Sequence, residues 1–213
     1  MSRDAAAEGL LCELDGPPLV LASASASRRR VLHAAGLAFE ALAAGVDEDE
    51  IKQSLKAEGA QAVQVAETLA ELKAARISAR RPGALVVGAD QMLACEDRWY
   101  DKPADPAAAV EQLLALAGRT HSLESSVCVL HNGTRLWHHN AVCRLTMRAF
   151  DRTFAERYLA AAGPAALESV GGYQLEGLGV QLFSRIEGDF FEILGLALLP
   201  LLGFLRERGV VPR

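Results

Sequence analysis

Leu85-Val86-Val87-Gly88-Ala89-Asp90 decides the fold. The run is compact and apolar and closes on a carboxylate, as a central strand reaching its functional edge would. Gly88 within it lets another backbone or a ligand approach closely. Just upstream, Val63, Ala66, Ala70, Ala74 and Ile77 recur at helical spacing, so a helix is predicted over residues 61–80, ended by Arg81-Pro82-Gly83. Further back, Leu19-Val20-Leu21-Ala22 reads as a short buried strand. It is followed by Ser23-Ala24-Ser25-Ala26-Ser27 and a helix over about residues 28–35, stopped by Gly36. Residues 39–43 give a second strand, leading into the acidic turn Asp47-Glu48-Asp49-Glu50.

Downstream, Asp105-Pro106 supplies a cap and a first-turn proline for a helix that Gly118 ends. Asn132-Gly133 between residues 125–130 and 135–147 is a strong hairpin signal. Asp151 can cap a helix running through Phe154, Tyr158 and Leu159 to Gly163-Pro164. A glycine-dense stretch over 171–188 precedes a last helix over about 195–208. Helices alternate with strands but a hairpin intervenes, so the pattern is mixed α/β rather than a purely doubly wound parallel sheet.

The 213 residues fit one large α/β domain or two small lobes around a cleft. Hydrophobic residues make up 51% and aromatics only 6%, so much of the core should be helix packing by Ala and Leu. A net charge of −5 and a pI near 5.6 argue against a nucleic-acid binder, whose footprint is usually basic. A small polyanion can still be held where the positive residues concentrate. Cys12, Cys95, Cys128 and Cys143 show neither a CxxC pair nor zinc-type spacing, and read as reduced thiols of a cytoplasmic protein. Leu10-Leu11-Cys12, closed by Glu13 and Asp15, is no signal-peptide core. The apolar run over 193–205 is too short to span a bilayer, so no membrane contact is expected. Residues 1–18 read as an N-terminal extension ahead of a domain over 19–213.

Four places carry chemistry. Ser27-Arg28-Arg29-Arg30 opens a helix, where the backbone already bears partial positive charge. Arginines there, beside the hydroxyls of Ser23, Ser25 and Ser27, suit a phosphate chain. Lys73 lies on the inner stripe of its helix, so its ammonium must snorkel to solvent or meet an anion. Asp90 can cap a loop, bind Mg²⁺ or activate water, and Lys102-Pro103 adds a rigidly placed ammonium. Finally, Gly171-Gly172-Tyr173-Gln174-Leu175-Glu176-Gly177-Leu178-Gly179 fits a backbone wrapped around a ligand, but matches neither G-x-G-x-x-G nor the P-loop. His138-His139 falls on a hairpin strand, where the rings point to opposite faces and make a poor metal pair.

In this order along the chain, these residues resemble the Maf family of nucleotide pyrophosphatases. Its opening L-A-S-x-S-x-x-R-R-x-x-L appears over residues 21–32. Its lysine helix matches Leu69-Ala70-Glu71-Leu72-Lys73-Ala74, its G-A/S-D motif is Gly88-Ala89-Asp90, and its K-P is Lys102-Pro103. The closing block appears as Gly172-Tyr173-Gln174-Leu175-Glu176-Gly177 and Ile186-Glu187-Gly188-Asp189-Phe190-Phe191. The resemblance covers about residues 19–208.

It implies an elongated, two-lobed Maf/Ham1-like fold, a mixed sheet flanked by helices with a nucleotide cleft between the lobes, often as a homodimer. It also implies hydrolysis of a nucleoside triphosphate to the monophosphate and pyrophosphate with Mg²⁺ or Mn²⁺. Asp90 is then the expected proton acceptor. Arg28, Lys73 and Lys102 grip the phosphates, Ser23 adds hydroxyl and backbone contacts, and Glu48 joins Asp90 on the metal. Base selectivity maps onto Ser27, Gln91 and Glu176. Gln91 and Glu176 follow the pattern of 7-methyl-GTP pyrophosphatases, while Ser27 departs both from that branch, which has Trp, and from the dTTP/UTP branch, which has Arg. Arg30 stands where many members carry Glu, either strengthening the anion site or facing solvent. A competing reading is a nucleotide-binding regulator of septum formation, against which the retained Asp90 argues.

Overall fold

The computed structural model describes residues 16–212. Cys12 and most of the extension expected over residues 1–18 lie outside them. Seven strands form one mixed sheet: β1 (Leu19–Leu21), β2 (Glu40–Ala41), β3 (Leu85–Cys95), β4 (Arg98–Tyr100), β5 (Thr120–His131), β6 (Thr134–Met147) and β7 (Phe183–Glu187). Their order is β2-β1-β3-β5-β6-β7, with β4 paired to β3 off this path. β1 runs parallel to β2 and β3, whereas β4, β5, β6 and β7 join by antiparallel ladders. The β5–β6 turn uses the expected Asn132 (φ 48°) and Gly133 (φ 80°), positive angles that a two-residue hairpin with the sheet's twist demands.

The expected strand over 85–90 continues to Cys95, so Asp90 lies within β3 rather than at its end. What does end nearby is a pairing. β3 is bonded to β1 over residues 85–87 and to β4 over 93–95, and between these two stretches that edge has no strand beside it. Asp90 sits in this gap, where β3 changes neighbours.

Among the described residues, seven α-helices flank the sheet: α1 (Ala26–Ala34), α2 (Glu48–Ala57), α3 (Ala62–Ser78), α4 (Pro106–Leu116), α5 (Arg152–Ala162), α6 (Phe190–Ile193) and α7 (Leu198–Glu207). Asp105 and Asp151 cap α4 and α5 as expected. The acidic segment expected as a turn instead starts α2. The Asp47 carboxylate accepts from the Glu50 backbone N–H, and Glu48, Asp49 and Glu50 occupy a first turn whose partial positive charge favours them.

The period-2 alternation of β3 sorts its side chains. Val86 and Met92 pack with α3, while Leu85, Val87 and Ala89 join α1 and α7 on the other face. Farther along that second face, Leu93 and Cys95 pack with α4 and α5. The cleft draws its lining from both faces, with Glu48 of α2 and Lys73 of α3 from one and Arg28 of α1, Leu123 and Ile193 from the other.

Gly88 controls how closely α3 lies on the sheet. A Cβ built there would collide with the Ala70 carbonyl oxygen and the Ala74 Cβ. Gly88→Ala should therefore force α3 off β3 and cost about 1–3 kcal/mol of stability, the range for overpacking a close contact. Denaturant unfolding checks this, and an unchanged midpoint would mean that the helix accommodates the methyl freely.

Candidate active site

The close packing at Gly88 brings α3 and β3 together one strand pleat further on, where Lys73 meets Asp90. The Lys73 Nζ lies 2.5 Å from Asp90 Oδ1 and 2.7 Å from Glu48 Oε1, so one ammonium bridges two carboxylates from different elements. The Lys73 side chain is 10% exposed and that of Asp90 6%. Of the two outcomes open to a lysine on an inner stripe, this one meets an anion.

The two carboxylates differ in environment. Burial pushes Asp90 above the ordinary carboxylate value, opposed by the nearby charges of Lys73 and Arg28. For Glu48, burial also acts upward, but Lys73, Lys52 and Arg28 outweigh it and hold the group below its ordinary value. Neighbouring acids driven in opposite directions are a pattern typical of acid–base centres.

Arg28 is buried, and its guanidinium donates from Nε to the Gly195 carbonyl (2.8 Å) and from Nη1 to the Ala89 carbonyl (2.9 Å) and to Ser23 Oγ (3.2 Å). It thus bridges the unpaired stretch of β3 to the segment before α7. The three arginines expected to converge on an anion do not converge. Arg28 faces the cleft, Arg29 is exposed, and Arg30 turns to Glu176. The reason lies in the start of α1, two residues earlier than expected. Ser25 is its cap, accepting from the Arg28 backbone N–H, and successive helical residues point about 100° apart.

Ser23, Ser27, Arg28, Glu48, Lys73, Asp90, Gln91, Lys102 and Glu176 all line one cleft of about 580 Å³. Lys102 is exposed at its wall. The Gln91 amide donates to the Glu192 and Ile193 carbonyls, at 3.0 and 3.2 Å, which fixes it against α6. Ser27 Oγ donates to Glu176 Oε1 (3.3 Å). Tyr173, also on the cleft, pairs through its hydroxyl with His121 Nε2 at 2.7 Å. Burial pulls that imidazole down to about 4, so its ring is neutral at pH 7.

The sequence reading missed Lys52 and Asp101, which form a 2.6 Å ion pair on the cleft wall. Lys52 sits one turn after Glu48 on α2, a spacing that would have flagged it had the segment been read as helix. With them counted, the cleft carries six carboxylates (Glu48, Asp49, Asp90, Asp101, Glu168, Glu176) against four cations (Arg28, Lys52, Lys73, Lys102). No group of three or more His, Cys, Asp or Glu suited to a metal ion occurs among the described residues. Cys95, Cys128 and Cys143 are buried free thiols, and no helix of the described residues is long and apolar enough to cross a membrane.

Comparison with known proteins agrees with this geometry. A family model described as Maf-like protein matches residues 18–208. A nucleoside triphosphate pyrophosphatase of Paramagnetospirillum magneticum is 56% identical over 190 residues, covering 89% of this chain and 98% of the relative. One of Rhodospirillum rubrum is 55% identical over 92% of this chain and 96% of its own length. A 7-methyl-GTP pyrophosphatase of Rhizobium meliloti is 49% identical over 92% of this chain and 98% of its own length. With the motif order, the cleft and these matches in agreement, the chain belongs to the Maf family of nucleoside triphosphate pyrophosphatases, hydrolases of phosphoric anhydrides.

Proposed function

We propose that this chain cleaves a nucleoside triphosphate between its α and β phosphates, with Asp90 as the general base for the attacking water. The observation that carries the reading is the convergence of Lys73 on Asp90 and Glu48 beneath the cleft. A base must approach the working pH to be effective, and burial moves Asp90 in that direction. Lys73 holds the carboxylate in place and, with two of its three protons on Asp90 and Glu48, has one left for a phosphate oxygen. The water oxygen bonds to the α-phosphorus, the bridging α–β P–O bond breaks, and the electron pair leaves with pyrophosphate. The water's proton passes to Asp90. Lys102, Arg28 and the Ser23 hydroxyl stand along the cleft to offset phosphate charge.

The residues fit a divalent cation, Mg²⁺ or Mn²⁺. Carboxylates outnumber cations on the cleft wall, so a polyphosphate entering alone would meet uncompensated negative charge. Mg²⁺ is commonly held by one or two carboxylates with substrate phosphates completing its shell, and Asp90 and Glu48 form such a pair. When bound, the ion supplies charge neutralisation at the phosphate oxygens.

For the base, a modified purine such as that of 7-methyl-GTP is the favoured ligand. The Glu176 carboxylate can accept from a guanine N1–H and exocyclic amine, and Gln91 stands on the same cleft. The alternative is dTTP or UTP, since Ser27 provides neither the aromatic face of the one branch nor the guanidinium of the other. The same account makes residues 19–213 one catalytic unit of a cytoplasmic enzyme able to act as a homodimer.

Asp90→Asn should keep the native circular dichroism and lose about a hundredfold or more in turnover, as loss of a general base requires. Near-normal pyrophosphate release would remove Asp90 from that role. In a panel of 7-methyl-GTP, GTP, dTTP, UTP and CTP with Mg²⁺, 7-methyl-GTP should give the highest kcat/KM. A maximum at dTTP or UTP would favour the pyrimidine reading.

A further inference from the structure

Arg30 and Glu176 are 146 residues apart in sequence, yet Arg30 Nη2 donates to Glu176 Oε1 at 2.7 Å. The Arg30 side chain is 57% exposed, and exposed pairs of this kind contribute only about 0–1 kcal/mol to stability. Stability therefore does not account for it, and its position is more informative. The pair stands where the polar cleft meets a second pocket of about 390 Å³. Val31, Ala34, Phe190, Phe191 and Leu198 supply apolar wall there, and the pocket shares Ser27 and Glu176 with the cleft. A nucleotide with its phosphates beside Lys73 and its base toward Glu176 would bring a flat aromatic ring to apolar walls with one polar edge.

That edge has a fixed polarity. Among the described residues, both side-chain bonds to Glu176 fall on Oε1, from Arg30 and from Ser27, and Oε2 is left to accept from a ligand. The guanidinium can only donate, and it has N–H groups beyond the one spent on Glu176. Side by side, the pair offers a donor and an acceptor.

We propose that Arg30 and Glu176 together select bases that carry a carbonyl next to a ring N–H. Guanine, hypoxanthine, uracil and thymine have this edge, with the C=O accepting from Arg30 and the ring N–H donating to Glu176. Adenine and cytosine present the reverse order, an amino donor beside a bare ring nitrogen. The glycosidic bond fixes the direction in which the edge is read, so their amino group would face the guanidinium and their lone pair the carboxylate. Sites that pair polar groups with a ligand reject analogues that leave those groups unmatched. The inference rests on the pyrophosphatase reading and narrows its substrate class.

The test compares kcat/KM for two pairs of nucleotides: ITP against ATP, and UTP against CTP. Within each pair the bases differ only along this edge. The native enzyme should favour the carbonyl member of each pair by about tenfold or more. In Arg30→Ala both ratios should fall to within about threefold, while Arg30→Lys, which keeps a cationic donor, should retain the direction. Ratios near one in the native enzyme, or ratios unchanged in Arg30→Ala, would overturn the proposal. Calorimetric binding of the α,β-methylene analogues of ITP and ATP separates the two levels of the account. Preference for the ITP analogue without turnover of any nucleotide would refute the hydrolysis and leave the base reading standing. Equal binding would refute the base reading alone.

Discussion

An ammonium taken out of water has to be paired, and the ion cluster of Lys73, Asp90 and Glu48 is where the architecture of this protein meets its chemistry. Desolvating such charges costs several kcal/mol per ion and is offset only when partners stand at hydrogen-bond distance. Here Lys73 comes from α3, Asp90 from β3 and Glu48 from the first turn of α2, and all three meet within 2.7 Å of one nitrogen. The arrangement exists because Gly88 has no side chain to separate α3 from β3. Removing one partner would leave an uncompensated charge, so the cluster constrains three elements at once.

The sheet supplies the space. β3 exchanges β1 for β4 as its neighbour, and the resulting gap exposes backbone that Arg28 caps at the Ala89 carbonyl. On one face the apolar core divides into a cluster under α1 and α7 and another under α4 and α5, and the cleft takes wall from both faces of the sheet. Lys73 and Arg28 lie at the gap. Ser27 and Glu176 lie toward α1 and α6, where the polar cleft meets a second pocket with an apolar wall.

Much of this was legible because it is written in short-range chemistry. The Ala-rich stripe of α3, the Asn132-Gly133 turn and the Asp105 and Asp151 caps each act within a few residues. The motif order then identified the family and assembled nine residues that do share one cleft. What could not be read locally was set by distant partners. β3 extends beyond Asp90 because β5 pairs with it as far as Ala94. Residues 47–50 were ambiguous, since acidic residues suit both a turn and a helix start. The apolar spacing of Ile51 and Leu55, through which α2 packs against Val65, Ala66 and Leu69 of α3, was the missed signal. Lys52 and Arg30 show their roles only through Asp101 and Glu176, 49 and 146 residues away.

Burial raises Asp90 above the ordinary carboxylate value while Lys73 restrains the rise. Titrating the carbon-13 carboxyl resonance of Asp90, assigned by its loss in Asp90→Asn, measures this without relying on turnover. In the native protein its midpoint should lie above the ordinary carboxylate value, so the group gains its proton at higher pH than an exposed aspartate does. In Lys73→Met it should move upward again, by about one pH unit or more, because a cation that favours the charged form has gone. A native midpoint at or below the ordinary value, or one that stays put in Lys73→Met, would contradict the account.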